Sequence, residues 1–453
     1  MPRSVRSFRT PDPAYPFSAA IALSVFSGNW GEFLPALPLP PDRALLVLAL
    51  LLVALRRMRG EGPAPSPSVG HWLLAATVAI ALGSAYAAGT LGDPDARFVL
   101  LDRLGIVPFV AFAIAPLVFG GEHQRRILLA TLVGLGAYLG LTALFETVGP
   151  SALVYPRYIL DGAVGIHFGR ARGPLTDATA NGIALYACAV AALIAAAAWR
   201  RPAARLAAVG VALLCAGGLV FTMQRSVWIG ATLATVLTLA LVPRLRRLLV
   251  PALTAGALLV GTMLAVVPGL ADRVQDRRAA QDSVWDRENL LAAAFRMVEE
   301  RPLTGFGWHR FNADSPNFVQ QADDIPLTDE GEILHNVYVS NAVELGLLGA
   351  AVWLAALVVC IGAPMVSRAP PELGAWRAGL IAIATLWAVV ALFSPLVRVF
   401  PNLILWSWAG VVAAGGLQLR SQWVRAQVAR ATAGPGAASG ALRLYPKRFT
   451  RSS

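Results

Sequence analysis

The chain has 453 residues, of which 57% are hydrophobic and only 14% are charged, whereas soluble globular domains contain roughly 25% charged residues. This deficit excludes a large soluble protein and indicates a chain that lies mostly in lipid. The net charge of +12 does not indicate a nucleic-acid partner, because the basic residues form short clusters between apolar runs instead of one soluble face.

Apolar segments recur along the whole chain. A membrane-spanning helix needs roughly 20 apolar residues, and twelve segments reach or approach that length. They are 15–36, 43–56, 71–90, 98–118, 126–147, 179–199, 204–222, 226–243, 247–267, 334–365, 373–395 and 400–419. The first follows arginines, as a signal peptide would, but it has no clear cleavage site and is expected to be kept. We therefore predict an all-α, polytopic integral membrane protein of about twelve transmembrane helices.

Arginine clusters occupy every second loop, and this sets the expected topology. They are Arg3, Arg6 and Arg9; Arg56, Arg57 and Arg59; Arg125 and Arg126; Arg200, Arg201 and Arg205; Arg244, Arg246 and Arg247; and Arg368 and Arg377. Positive loops face the cytoplasm, so both termini are expected to be cytoplasmic in a bacterial inner membrane, with membrane lipids as partners.

Residues 1–267 would form nine helices, with an outer loop at 148–178. Residues 268–333 would form a large periplasmic loop, residues 334–419 the last three helices, and 420–453 a basic cytoplasmic tail expected to be disordered.

The large loop contains one clear helical pattern. The spacing of apolar residues over 283–300 predicts an amphipathic helix. It ends before Pro302, and a turn follows at Gly305-Phe306-Gly307. Its apolar face is predicted to comprise Leu290, Leu291, Ala294, Phe295, Met297 and Val298.

Two other groups of residues favour structural roles. Cys188, Cys215 and Cys360 lie in apolar runs without metal-ligand spacing, so we expect them to pack in the core. Asp102 and Arg103 fall inside the fourth span, where a charge is costly, and we expect them to neutralise each other.

Four outward-facing places could carry chemistry. They are the stretch 169–177, the turn 222–226, Arg287 with the segment 302–307, and the block 332–338. An outer-face enzyme has no ATP, so its energy must arrive in the substrate, commonly as a lipid diphosphate-linked sugar. Arginines can stabilise the diphosphate leaving group, and a histidine can deprotonate an acceptor hydroxyl. The outer face offers both arginines and a histidine. A single arginine beside a span more often reaches lipid head groups, although Arg225 lies in a turn too short to need one.

These motifs resemble the O-antigen ligase and polymerase superfamily over residues 170–349. Arg170-x-x-Gly173-Pro174-Leu175 resembles its Arg-x-x-Gly stretch, and Pro302-Leu303-Thr304-Gly305-x-Gly307 resembles its long-loop signature. His335-Asn336-x-Tyr338, followed by Glu344-x-Gly346-x-x-Gly349, resembles its most diagnostic block. Gln224 and Thr179 depart from the family pattern, which commonly has Ser and Asn there.

The resemblance implies a metal-independent inverting glycosyltransferase without a cofactor. Its members take a glycan from undecaprenyl diphosphate at the periplasmic face. The positions that match the family motifs imply that His335 would be the general base. They also imply that Arg170, Arg225 and Arg287 would hold the diphosphate. The implied substrate-binding residues are Arg172, Glu332, Asn336, Tyr338, Gly305 and Gly307; Glu332 or Asn336 would orient His335, and the two glycines would let the loop bend over the site. Arg170 fits the motif spacing better than Arg172.

The acceptor is left open by the sequence. We expect O-antigen ligation to the lipid A core, with a polysaccharide polymerase or a protein O-oligosaccharyltransferase of the same superfamily as alternatives. A transporter or flippase would need charges lining a path and broken helices in related halves. Asp102 and Arg103 are charges of this kind, but no halves resemble each other.

Overall fold

The computed structural model describes residues 10–34, 39–61, 67–104, 106–279, 282–320, 333–367 and 370–432. Fourteen main helices occur in this part of the chain. They are α1 (Ala14–Leu23), α2 (Pro41–Met58), α3 (Val69–Ala87), α4 (Ile106–Val118), α5 (Glu122–Thr147), α6 (Ala178–Ala198), α7 (Pro202–Phe221), α8 (Arg225–Leu241), α9 (Leu249–Val266), α10 (Leu270–Ala279), α11 (Asp282–Glu300), α12 (Val337–Leu357), α13 (Gly374–Val390) and α14 (Val399–Thr432). No strand occurs within the described ranges.

The predicted all-α polytopic class is confirmed. Eight helical stretches of the described chain are long and apolar enough to cross a membrane, and Ala14–Phe26, Arg225–Leu241 and Val399–Gly415 are shorter apolar helices. The predicted span 43–56 coincides with α2, which carries charged residues at both ends. Helix α14 continues to Thr432, into the region expected to form the tail, and residues 433–453 lie outside the described part.

The centre of the bundle is built from small residues. Ala184, Ala187 and Ala191 on α6 are fully buried, which lets neighbouring helices approach closely. Cys188 and Cys215 meet at Gly136 of α5, where an added Cβ would lie 2.9 Å from Cys188 Cβ. All three cysteines are buried and free, as expected for core packing. Helix α9, by contrast, has no buried residue and lies at the periphery.

The two ends of the bundle differ. Asn29 donates to Pro174 O at 2.9 Å, and Ala171 N donates to Phe221 O at 3.0 Å. These contacts gather the predicted outward segments at one end, which we call the loop end (26–30, 148–177, 221–225, 267–279, 282–320, 333–336 and 391–398). Arg56 and Arg125 belong to clusters at the other end, where Asp12 contacts Arg56 at 3.6 Å and accepts a hydrogen bond from Gln124 at 2.9 Å.

Two charged residues in the fourth span do not pair with each other, so that prediction was wrong. Asp102 pairs with Arg43 of α2. Arg103 lies 3.8 Å from the Glu344 carboxylate and donates to Asn341 Oδ1 at 2.7 Å. Successive residues of one helix point in different directions, so each found a partner on another helix.

The predicted loop helix is present as α11, and one residue of its predicted face was wrong. Leu290, Ala294 and Met297 are buried against Leu334 and Val343, whereas Phe295 is 52% exposed. Helix α11 therefore packs against the beginning of α12.

Helix α12 is broken at Gly346, which has φ 70° and ψ 173°. The segment 302–307 fills the break. Phe306 N donates to Val343 O at 2.8 Å, Gly307 N donates to Glu344 O at 3.1 Å, and Leu347 N donates to Pro302 O at 2.7 Å. The backbone groups that the break releases are thus satisfied by the loop, as burial requires. We call this arrangement the helix-break lock.

We predict that Gly346→Ala destabilises the protein by about 3 kcal/mol or more, because this backbone conformation strongly favours glycine. An added Cβ would also lie 2.1 Å from Leu303 O. Thermal unfolding in detergent measures the effect. Gly210→Ala is the matched control, since Gly210 is helical and its Cβ would meet nothing within 4 Å. Equal melting temperatures for the two variants would contradict the lock.

Candidate functional site

His335 lies at the loop end, immediately before α12, and its backbone is held on both sides. Leu334 is buried beneath α11. Val337 N donates to Ala391 O at 2.9 Å, at the end of α13. The imidazole is thus a half-buried group on a rigid support, as a catalytic residue requires.

The electrostatics of His335 favour the neutral ring. Burial, together with the positive charge of Arg287, lowers the pKa of His335 to about 4. Its Nδ1 is buried and has no hydrogen-bond partner within the described ranges. At neutral pH the ring can therefore accept a proton. An anion bound beside Arg287 would offset the arginine charge and raise this pKa.

The residues that follow His335 have roles in holding α12. Asn336 caps the helix, because its Oδ1 accepts from Tyr338 N at 3.0 Å and Val339 N at 3.1 Å. The Tyr338 hydroxyl donates to Ala388 O at 3.1 Å. Both side chains were predicted to bind substrate, and in the structure both fix the position of His335.

The two arginines of the stretch 169–177 differ sharply. Arg172 is fully buried, and its guanidinium donates to Ile159 O at 2.9 Å, to Val164 O at 2.6 Å and to Asp161 O. These carbonyl groups occupy the guanidinium of Arg172, which therefore holds the outer loop together. Arg170 is also buried, but its Nε has no partner in the described part of the chain. Arg170 is therefore the better candidate to bind an anion, as its motif spacing suggested.

Arg225 and Arg287 are both exposed at the loop end. Arg225 begins α8 after a turn in which Met223 has φ 48°. This turn is adjacent to Arg170, because Ala171 N donates to Phe221 O at 3.0 Å. Arg287 lies on α11, and its charge acts on His335. The structure thus brings all three predicted diphosphate-binding arginines to the end of the bundle that carries His335.

The remaining predicted residues lie elsewhere. Gly305 and Gly307 belong to the helix-break lock; an added Cβ on Gly305 would lie 2.5 Å from Gly346 N. The positive φ of Gly305 serves this close approach to α12, whereas an added Cβ on Gly307 would lie 2.5 Å from Ala88 Cβ at the end of α3. Glu332 lies outside the described residues.

Sequence reasoning missed two residues at the loop end, His167 and Arg398. His167 Nδ1 lies 3.4 Å from Asp177 Oδ1, and Arg398 donates to Thr176 Oγ1 at 3.3 Å. Arg398 follows the eleventh span, on the side where the positive-inside rule disfavours arginine. Arg225 was singled out because it lies on the side where this rule disfavours arginine. The same reasoning could therefore have identified Arg398. No motif or spacing in the neighbouring sequence marks His167 as a functional residue.

The comparison with protein families gives one match. A family model described as O-antigen ligase matches residues 210–354. No curated protein matches the chain. The matched residues include Arg225, Arg287, the helix-break lock and His335. This part of the chain is therefore similar to the O-antigen ligase family, whose members are membrane glycosyltransferases.

We predict that Arg172→Gln and Arg170→Gln have different effects. Arg172→Gln should lower the free energy of unfolding by about 2 kcal/mol or more, because it removes buried, charge-assisted hydrogen bonds. Arg170→Gln should change it by less than about 1 kcal/mol and should instead weaken the binding of a lipid diphosphate. Thermal unfolding and a binding titration separate the two effects. A stable Arg172→Gln variant with weakened binding would reverse the two assignments.

Proposed function

We propose that the chain is a metal-independent inverting glycosyltransferase. It moves a glycan from undecaprenyl diphosphate to an acceptor hydroxyl, and the reaction is O-antigen ligation to the lipid A core. The observation that carries this proposal is the placement of a neutral His335 beside Arg287, within the residues that match the O-antigen ligase family.

The arginines supply the charge that the donor requires. Breaking a sugar–phosphate bond leaves a diphosphate, which bidentate, permanently charged guanidinium groups stabilise. Arg170 and Arg225 come from two loops that contact each other, and Arg287 comes from α11. A diphosphate among these arginines has its charge neutralised without a metal, and the sugar then faces His335.

His335 acts as the base for the acceptor hydroxyl. A pKa of about 4 keeps the ring unprotonated before substrate binds, but it also makes the ring a weak base. Because the bound diphosphate offsets the charge of Arg287, it raises the pKa of His335 towards neutrality. The base therefore gains strength when the donor is in place.

The loop end faces the periplasm in this proposal. The arginine-rich turns at the other end favour the cytoplasm under the positive-inside rule. The protein is then a multi-pass inner-membrane protein with cytoplasmic termini, and its site meets lipid-linked glycan and lipid A core on the same side.

We predict that His335→Ala lowers transfer of glycan from a lipid diphosphate donor by about 100-fold or more, as expected for loss of a general base. Gel analysis of glycan on the lipid A core, in EDTA, measures transfer by the purified protein. The melting temperature should stay near that of the wild type, because the imidazole does not hold α12.

His123→Ala is the matched control, since His123 is exposed at the opposite end of the bundle. It should transfer glycan like the wild type. Wild-type transfer by His335→Ala would overturn the role of His335. Loss of wild-type transfer in EDTA, restored by a divalent cation, would overturn metal independence.

A further inference from the structure

The outer loop contains a tight turn with Phe168 at its tip. Arg170 N donates to His167 O at 3.3 Å, which closes the turn over residues 167–170. Gly169 has φ 82°, the positive value that the third residue of a type II turn requires. Phe168 and Arg170, one of the arginines proposed to bind the diphosphate, therefore belong to the same turn.

This turn rests on a rigid base. Arg172 is fully buried, and its guanidinium donates to the carbonyl oxygens of Ile159 at 2.9 Å and Val164 at 2.6 Å. On the other side of the loop, Ile166 N donates to Thr176 O at 2.9 Å. The backbone that carries Phe168 is thus fastened immediately before and after the turn.

The ring of Phe168 is held in place but remains open. The guanidinium of Arg172 lies 4.9 Å from the centroid of the ring, a cation–π contact that restrains its orientation. Gly162 lies against the same ring, because an added Cβ there would be 3.5 Å from two of the ring carbons. Phe168 is nevertheless 58% exposed.

The surroundings of this exposed ring point to a ligand. A single exposed apolar residue is ordinary in itself. Here, however, the ring shares a turn with Arg170, which is buried and whose Nε has no partner within the described ranges. A fixed aromatic surface and an unpartnered cationic donor, two residues apart, suit a ligand with an apolar face and an anionic group.

We propose that Phe168 stacks against a sugar ring of the donor glycan and forms a carbohydrate-binding subsite beside Arg170. The inference rests on the proposed function. A pyranose presents C–H groups on one face, and their slight positive charge suits the negative face of an aromatic ring. The first sugar is joined directly to the diphosphate. The ends of a turn are less than about 7 Å apart, so a diphosphate at Arg170 brings that sugar within reach of Phe168.

Lipid head groups are the other medium that an exposed aromatic ring can meet at this end of the bundle. Ile166, two residues earlier, is 52% exposed and serves as a comparison. A contact with lipid requires only an apolar side chain, whereas stacking on a sugar requires an aromatic ring. The two explanations therefore predict different effects of substitution.

Ligand binding to the purified full-length protein in detergent tests the subsite without turnover. The two probes are undecaprenyl diphosphate and undecaprenyl diphosphate linked to N-acetylglucosamine. Phe168→Ala should weaken binding of the sugar-linked probe by about tenfold. It should leave binding of the bare diphosphate unchanged, because Arg170 is retained. In transfer assays, the KM for the donor should rise while kcat stays near the wild-type value, since stacking holds the bound donor and its transition state alike.

Phe168→Tyr keeps the ring and should bind both probes as the wild type does. Ile166→Ala is the matched control, since it removes an exposed apolar side chain from the same loop without removing a ring. It should also bind both probes normally. Phe168→Leu, which keeps an apolar side chain, replaces Phe168→Ala if that variant does not fold.

A loss confined to the sugar-linked probe supports the subsite. Equal losses for both probes would overturn it and show that Phe168 only holds the turn of Arg170. Unchanged binding of both probes would also overturn it and leave Phe168 as a lipid contact. A wild-type protein that binds neither probe would contradict the proposed function itself. A sugar-specific loss in a protein that transfers no glycan would support the subsite and contradict the proposed reaction.

Discussion

The helix-break lock is the constraint on which the rest of the site depends. A break in a membrane helix leaves backbone groups that must find partners away from water. Here the segment 302–307 supplies them at Gly346, and Trp308 N continues the contact by donating to Ser84 Oγ at 2.9 Å. The large loop is thereby fastened to α12 and α3. Because α11 precedes this segment, the lock also sets where Arg287 lies relative to His335.

The charge distribution of the loop end explains how one site can serve two substrates. Arg170, Arg225 and Arg287 bring three positive charges to the loop end, two of them on exposed side chains. Such a surface attracts a diphosphate strongly. The same charge disfavours a protonated His335, because burial and the positive charge of Arg287 lower the pKa of its ring. Donor binding and base strength are thus linked electrostatically in the account proposed here.

Local patterns predicted the elements well, because helix length and apolar runs depend on neighbouring residues. The length of the apolar runs predicts the spans, and the helical spacing of apolar residues predicts α11. The role expected for His335 came from the resemblance to family motifs. Contacts between distant segments were not accessible in this way. The sequence could not assign different roles to Arg170 and Arg172, because both are arginines of the same stretch. The carbonyl partners of Arg172 in the outer loop are visible only in the structure. Asp102 found its counter-charge on α2, far away in the chain, and the direction of Phe295 depended on how α11 packs.

Transfer by the purified wild-type protein in EDTA is the decisive test of metal-independent ligation. A lipid diphosphate-linked glycan would be incubated with and without lipid A core, and the products would be separated on a gel. We expect glycan on the lipid A core, and only when the core is present. Glycan that lengthens on its own lipid carrier would contradict ligation and identify a polymerase. Absence of transfer to either acceptor would contradict the glycosyltransferase proposal for these substrates.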